Sequence, residues 1–363
     1  MKAVLKSSLY RRPKPTNEVM ANGHLEKGSV IEVDEVVTGK PIEGLSDWYK
    51  AKDGFFYWGG GLNIIGPVGV PPVSTTSLIT FPPANVVWLD NFIGIETQLK
   101  QFTGNGVKVA IIDTGVDVTH PDISSSIIAP RDFTGSSTPM TDDEGHGTAV
   151  AGIIAANTQN QKGVKGLAPG CKIIPIKVIK NSFDRSNLAS IVIAAIDHAL
   201  ISNADIINIS LDLSDIDSTA LRNAMNKAAV KGVVLIASAG DVDELTELGV
   251  SYPGRDPNFI SIGATNPFFE KAILNKRPQR LDFLGGLKDF WTLSNKSERY
   301  RTVNGSSFCA AFLSGLAALI IARTRQNQPG TPIDRNLMFN EISKSISNQA
   351  DLHQINSFSF IKV

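Results

Sequence analysis

Three side chains that together can cleave an acyl bond, Asp113, His146 and Ser307, stand in separate glycine-bounded segments. A serine hydroxyl is a poor nucleophile near neutral pH. It needs an imidazole to take its proton and a carboxylate to hold that imidazole in the right tautomer. Ile111-Ile112-Asp113-Thr114-Gly115 reads as a buried strand that ends in a carboxylate and a glycine turn, and a parallel strand presents such a side chain at its carboxyl end. Gly145-His146-Gly147-Thr148 opens a helical apolar pattern, which puts His146 near a helix N-terminus. Gly305 permits a tight turn into a helix expected from about Ser307 to Arg323. The positive end of that helix favours a developing alkoxide. Alone, each residue has a plainer use: a strand-to-helix turn, a core histidine or a helix cap. Jointly they imply acyl transfer, with Asp113 orienting the base His146 and Ser307 attacking a carbonyl.

The order Asp, His, Ser is that of subtilisin and not of chymotrypsin or the α/β-hydrolases. With the stretches 113–123, 146–152 and 304–308 as its three motifs, the chain resembles the subtilases over roughly residues 86–330. Gly166-Leu167-Ala168-Pro169, the run 205–211 and Ser238-Ala239-Gly240 fit as intermediate landmarks. The resemblance implies a serine endopeptidase acting on polypeptides through an acyl-enzyme. It also implies substrate-binding roles for Ser210, Leu211, Asp212, Ser238, Ala239 and Gly240. The alternative is a catalytically impaired, protease-like scaffold that binds a peptide without cutting it.

Two departures from the family pattern bear on that choice. Where subtilases carry an Asn that donates to the oxyanion, this chain has Asp241. An ionised carboxylate there opposes the developing charge. Either Asp241 is an oxyanion-hole donor held protonated, or the Ser307 backbone amide does that work nearly alone. Where the family has Ser-Leu-Gly, this chain has Ser210-Leu211-Asp212. Asp212 is expected to select a basic residue, to narrow the cleft, or to serve as a solvated turn carboxylate. No cofactor is required by the chemistry. Structural calcium, a family feature, has its counterpart in residues 157–165, which supply Asn and Gln carbonyls but also Lys162 and Lys165.

The catalytic part must position these residues at the carboxyl ends of parallel strands. The expected fold is α/β, a doubly wound, mostly parallel sheet with strands near 107–112, 172–179, 204–209, 233–237 and 258–263. Composition suits a large core: 42% of the 363 residues are hydrophobic and 19% charged. With 35 basic and 35 acidic residues the net charge is zero, which argues against nucleic-acid binding. The apolar run 308–322 is interrupted by Ser314 and Gly315 and reads as a buried core helix, not a membrane span. No secretory signal is visible, so a cytoplasmic location is favoured, with secretion the reading if a leader was trimmed. The two cysteines, Cys171 and Cys309, are expected to be buried and unpaired.

Residues 1–66 follow a different pattern. Short β-type runs at 29–33, 48–51 and 54–59, separated by turn residues, suggest a small all-β barrel that resembles bacterial SH3-like domains. That resemblance implies a peptide or cell-wall ligand, for which Trp48, Tyr57 and Trp58 are the candidates. The same aromatics could equally fill the core of the barrel. Residues 67–85 have the Pro/Gly composition of a semi-rigid linker, and the protease domain is expected over 86–363.

Overall fold

The strands that end at Asp113, next to Ser210 and at Ser238 belong to one sheet. The computed structural model describes residues 2–5, 9–10, 24–25, 30–42, 45–53, 55–58, 62–65, 86–87, 97–135, 140–157, 163–180, 185, 187–241, 249–264, 280–285, 290–296, 299–346 and 360–362. The chain divides into two compact units, Met1–Ile79 and Thr80–Val363. The main strands of the larger unit are β1 (Lys108–Asp113), β2 (Arg131–Asp132), β3 (Lys172–Lys177), β4 (Ile206–Ile209), β5 (Val234–Ser238), β6 (Phe259–Ala264), β7 (Phe283–Gly285), β8 (Phe290–Leu293), β9 (Tyr300–Val303) and β10 (Phe360–Lys362). Strands β8 and β9 pair as a separate hairpin. The other strands form the sheet in the order β2-β3-β1-β4-β5-β6-β7-β10, parallel except for the final antiparallel pair. Strand β1 lies between β3 and β4, so the winding reverses beside it. In an open α/β sheet the crevice at the carboxyl ends of such strands is where ligands bind.

The helices are α1 (His146–Ala155), α2 (Leu188–Ile201), α3 (Thr219–Val230), α4 (Ser306–Asn327) and α5 (Arg335–Ile346). Successive strand residues point to opposite faces. Val109 and Ile111 pack with Ile236 and Ile260 beneath α1 and α4, while Ala110 and Ile112 pack with Ile174, Ile207 and Leu235 beneath α2 and α3. This two-faced burial explains why the strands read as unbroken apolar runs. Helix α4 is long and apolar enough to cross a membrane by length and composition, but 89% of its apolar window is buried inside the unit.

Met1–Ile79 is antiparallel. Its sheet runs Phe56–Trp58, Leu45–Ala51, Val30–Ile42, Lys2–Leu5, Leu62–Ile65. Irregular register at Val33/Glu35 and Thr38/Ile42 interrupts the longest pairing, and such bulges strengthen local twist. This small antiparallel sheet is compatible with an SH3-like part. Ile31, Val33, Ala51 and Tyr57 form its core cluster, and Trp48 is also buried. The Tyr57 hydroxyl donates to Asp53 Oδ2 at 2.6 Å. Trp48 and Tyr57 thus fill the interior. The Trp58 side chain and the linker 67–85 lie outside the described residues.

Candidate active site

Asp113 is the last residue of β1 and is fully buried. Its Oδ1 accepts from the Thr114 N–H at 2.7 Å and pairs with His146 Nδ1 at 2.7 Å. A carboxylate accepts, so Nδ1 carries the proton and Nε2 is left as the base. Asp113 Oδ2 is buried with no partner among the described residues. His146 is the first residue of α1, set there by Gly145 in the left-handed region at φ 81°. Gly147 is a matter of space. A Cβ on it would sit 2.0 Å from Gly115 O and 3.2 Å from Asp113 Cβ, so the helix can approach the strand end only with hydrogen at this position.

Burial of the imidazole disfavours its charge. The charge and hydrogen bond of Asp113, aided by the charge of Asp142, outweigh that burial and the opposing Arg301, so His146 is held above its ordinary 6.5. The ring is partly open, with 27% of the side chain exposed. It lies against Phe308 with centroids 5.4 Å apart, which brings the first turns of α1 and α4 together.

Ser307 is the second residue of α4, following Gly305 at φ 115°, a conformation L side chains rarely adopt. The Ser306 N–H donates to Asp241 Oδ1 at 2.7 Å. The Phe308 and Cys309 N–H groups go to Gly305 O at 3.1 and 3.3 Å. Among the described residues the Ser307 N–H has no acceptor in the chain, the usual state of a first-turn amide. The Ser307 hydroxyl donates to Ser210 O at 3.2 Å, and among the described residues no hydrogen bond joins it to His146. Asp241 therefore meets this turn as an acceptor.

The residues expected to line the substrate cleft fall into two groups. Ser210 is buried at the end of β4, where its hydroxyl is shared between Asn208 Oδ1 at 3.0 Å and Ser307 O at 3.1 Å. Ser238, the last residue of β5, and Ala239 and Gly240 just beyond it are buried, with Ala239 N–H bonded to Ile262 O and Gly240 O to the Ala264 N–H. Leu211 is half-buried. Asp212 is exposed, its Oδ1 accepts from the Ser214 N–H at 2.9 Å, and its carbonyl accepts from Arg185 at 2.5 Å. That is the geometry of a turn carboxylate.

Sequence reading missed Asp142, Asn295 and Arg301. Asp142 is buried, and the Asn295 side-chain amide donates to its carbonyl. Arg301 on β9 and Asn295 each keep one buried polar atom, Nε and Oδ1, without a partner among the described residues. No motif marks them: Asn295 and Arg301 come to the site only through the packing of β8 and β9, and Asp142 meets its partners only once its loop has folded against the turn after β1. Both cysteines are free and buried, and burial pushes the Cys171 thiol up to about 12, far from a reactive thiolate. Residues 158–162 of the loop proposed for calcium lie outside the described residues. Among the described residues no group of three or more His, Cys, Asp or Glu side chains comes together as a metal site.

With this geometry in place, the subtilase family profile matches residues 104–358. A thermophilic serine proteinase from Bacillus sp. (strain AK1) is 34% identical over 226 residues, which are 61% of this chain and 54% of that protein. A subtilisin from Bacillus pumilus is 36% identical over 225 residues, 61% of this chain and 79% of that protein. The chain thus spans about half the length of the first relative. Among solved structures, "S41 Psychrophilic Protease" matches with a TM-score of 0.54 and 26% identity, covering 67% of this chain and 84% of the other.

Proposed function

Because the chain belongs to the subtilase family, we propose that it is a serine endopeptidase in which Asp113, His146 and Ser307 form the catalytic triad. His146 Nε2 takes the Ser307 proton as Oγ attacks a peptide carbonyl, forming a tetrahedral adduct. The same proton passes to the leaving amine as the C–N bond breaks, and water repeats the sequence on the acyl-enzyme. Asp113 keeps the imidazole in the required tautomer and stabilises its charged form. The observation that carries this reading is the 2.7 Å pairing of His146 Nδ1 with Asp113. It supports Nε2 as the nitrogen that serves as the base.

In this proposal the oxyanion is held mainly by the Ser307 N–H, with the positive end of α4 behind it. The carboxylate of Asp241 weakens that site. Ser210, Leu211, Ser238, Ala239 and Gly240 flank the polypeptide substrate, and Asp212 supports the turn beside them. The second reading, a scaffold that binds peptides without cutting them, draws on two observations: the Ser307 hydroxyl faces Ser210 O, and Asp241 accepts where a donor is needed. Incubation with a serine-directed phosphonate or sulfonyl fluoride, followed by intact mass, separates the two. An adduct lost in Ser307→Ala is expected. No adduct on the folded wild type would establish the scaffold. For Met1–Ile79 the proposal is an SH3-like barrel, supported by its small antiparallel sheet and enclosed aromatic core.

A further inference from the structure

A second buried carboxylate stands four residues before His146, and the triad does not use it. Asp142 is 4% exposed. Its Oδ1 accepts from the Thr114 hydroxyl at 2.8 Å and from the Gly145 N–H at 2.7 Å. Its Oδ2 accepts from the Thr148 N–H at 2.7 Å and the Thr148 hydroxyl at 2.6 Å. A buried charge persists only when its lone pairs are met, and these four donors meet them.

The donors are not random neighbours. Thr114 follows Asp113 in the chain, and its hydroxyl oxygen also accepts from the Gly147 N–H at 3.0 Å. Gly145 and Gly147 flank His146. The Thr148 N–H is one of the unsatisfied first-turn amides of α1, so Asp142 also places negative charge at the positive end of that helix. The Thr148 hydroxyl in turn accepts from the Asp117 N–H at 2.9 Å, tying the helix to the loop after β1. One carboxylate therefore bonds the segment carrying the orienting acid to the segment carrying the base.

We propose that Asp142 is a positioning residue for the reaction: it locks the turn after β1 to the first turn of α1, and so holds Asp113 and His146 at bonding distance. The proposal rests on His146 being the base. The mechanical and electrostatic roles act together, because the charge that accepts these bonds also faces the imidazole. Among the described residues, the charges that act on His146 are those of Asp113 from the end of β1, Asp142 from the loop before α1 and Arg301 from β9. Beside them Lys177 on β3 is occupied, donating to Thr141 O at 2.7 Å and Asp143 Oδ2 at 2.9 Å.

The test is Asp142→Asn in the full chain, with two readouts. The first is the titration of the His146 imidazole by proton NMR, assigned with His146→Ala. The second is the pH dependence of phosphonate labelling of Ser307. The midpoint of His146 is expected to fall by about half to one pH unit, and labelling at its plateau to slow about tenfold, as expected for loss of positioning. An unmoved midpoint overturns the proposal, whether or not labelling slows, because a purely structural cap would affect rate without moving the titration. If Asp142→Asn does not fold, Asp142→Glu serves. It should keep the midpoint but label more slowly, since an added methylene displaces the bonds, and a wild-type rate overturns the proposal. If the wild type takes no label, the proteolytic reading fails while the NMR titration still decides this one.

Discussion

The two halves of the site are held in opposite ways. On the side of the proposed base, Asp113, His146, Thr114 and Thr148 are joined through Asp142 in one hydrogen-bond network, which leaves Asp113 Oδ2 without a partner among the described residues. On the side of the proposed nucleophile, the serine hydroxyl donates to a carbonyl at 3.2 Å, the Ser307 N–H has no acceptor among the described residues, and Asp241 accepts from the Ser306 N–H. The contrast follows from what each half must do. The base needs one tautomer and one orientation, and hydrogen bonds fixed before the reaction supply both. The nucleophile must be released toward substrate and its oxyanion donor kept free, so bonds made in the resting state would have to be broken.

The sharpest test of this contrast is to remove one member from each half. Ser307→Ala and His146→Ala should each reduce kcat by about six orders of magnitude, and the double variant should be no worse, because the two act as a unit. Steady-state hydrolysis of a peptide substrate measures this. Additive losses would mean that the halves work independently.

The next effect is on the fold of the base side. Gly147→Ala places a methyl against Gly115 O, and should lower stability by about 3 kcal/mol or more in chemical denaturation, with activity lost in parallel. Full stability would show that the two turns are less tightly seated than their geometry indicates.

On the nucleophile side a substitution should improve the enzyme. Asp241→Asn keeps an oxygen to accept from the Ser306 N–H and adds an amide that can donate to the oxyanion. A gain in kcat of about tenfold to a hundredfold at pH 7 is expected, short of the roughly hundredfold to thousandfold that this donor is worth in a subtilisin. No gain removes Asp241 from the oxyanion site and leaves it as a cap on α4.

The smallest effect concerns pH, where activity and stability should move in opposite directions. Since His146 is held above 6.5 in the folded protein, kcat/KM should rise through an inflection above that value as the imidazole becomes neutral. The folded state binds this proton more tightly than the unfolded chain does. The stability contributed by the charged pair is thus fully present below the unfolded value and is lost as pH rises through the folded one. Thermal unfolding from pH 5 to 9, compared with Asp113→Asn, would detect it. An activity inflection below 6.5 would place the net influence on the imidazole with burial, against the network.

Much of the base half was legible because its signals are local. A strand ending in Asp-Thr-Gly and a helix opening on Gly-His-Gly each show in a few residues: β1 ends on Asp113 and α1 opens at His146, while β1 begins at Lys108, one residue after the expected start. Helix α4 starts one residue earlier and runs past Arg323 to Asn327, since polar residues can continue a helix once its apolar face is packed. Strand β7 and the hairpin β8–β9 carry no comparable signal, being short segments chosen by their neighbours. The N-terminal unit shows the same limit. Its turns and aromatic runs imply small strands, yet Val30–Ile42 is a 13-residue strand whose polar tract is sustained by pairing with Leu45–Ala51.

What the sequence determined by itself was the list of reacting groups and the elements that carry them, because residue type and short-range periodicity are properties of the chain. Only the tertiary structure decided the partners. That Asp241 Oδ1 accepts from the Ser306 N–H, and Asp212 Oδ1 from the Ser214 N–H, could be seen only in the folded chain. Asp142 gave no sign of linking two segments until both were seen bonded to it. A hydrogen bond depends on distance and direction in space, and residues far apart in sequence acquire those only when the sheet and helices have packed.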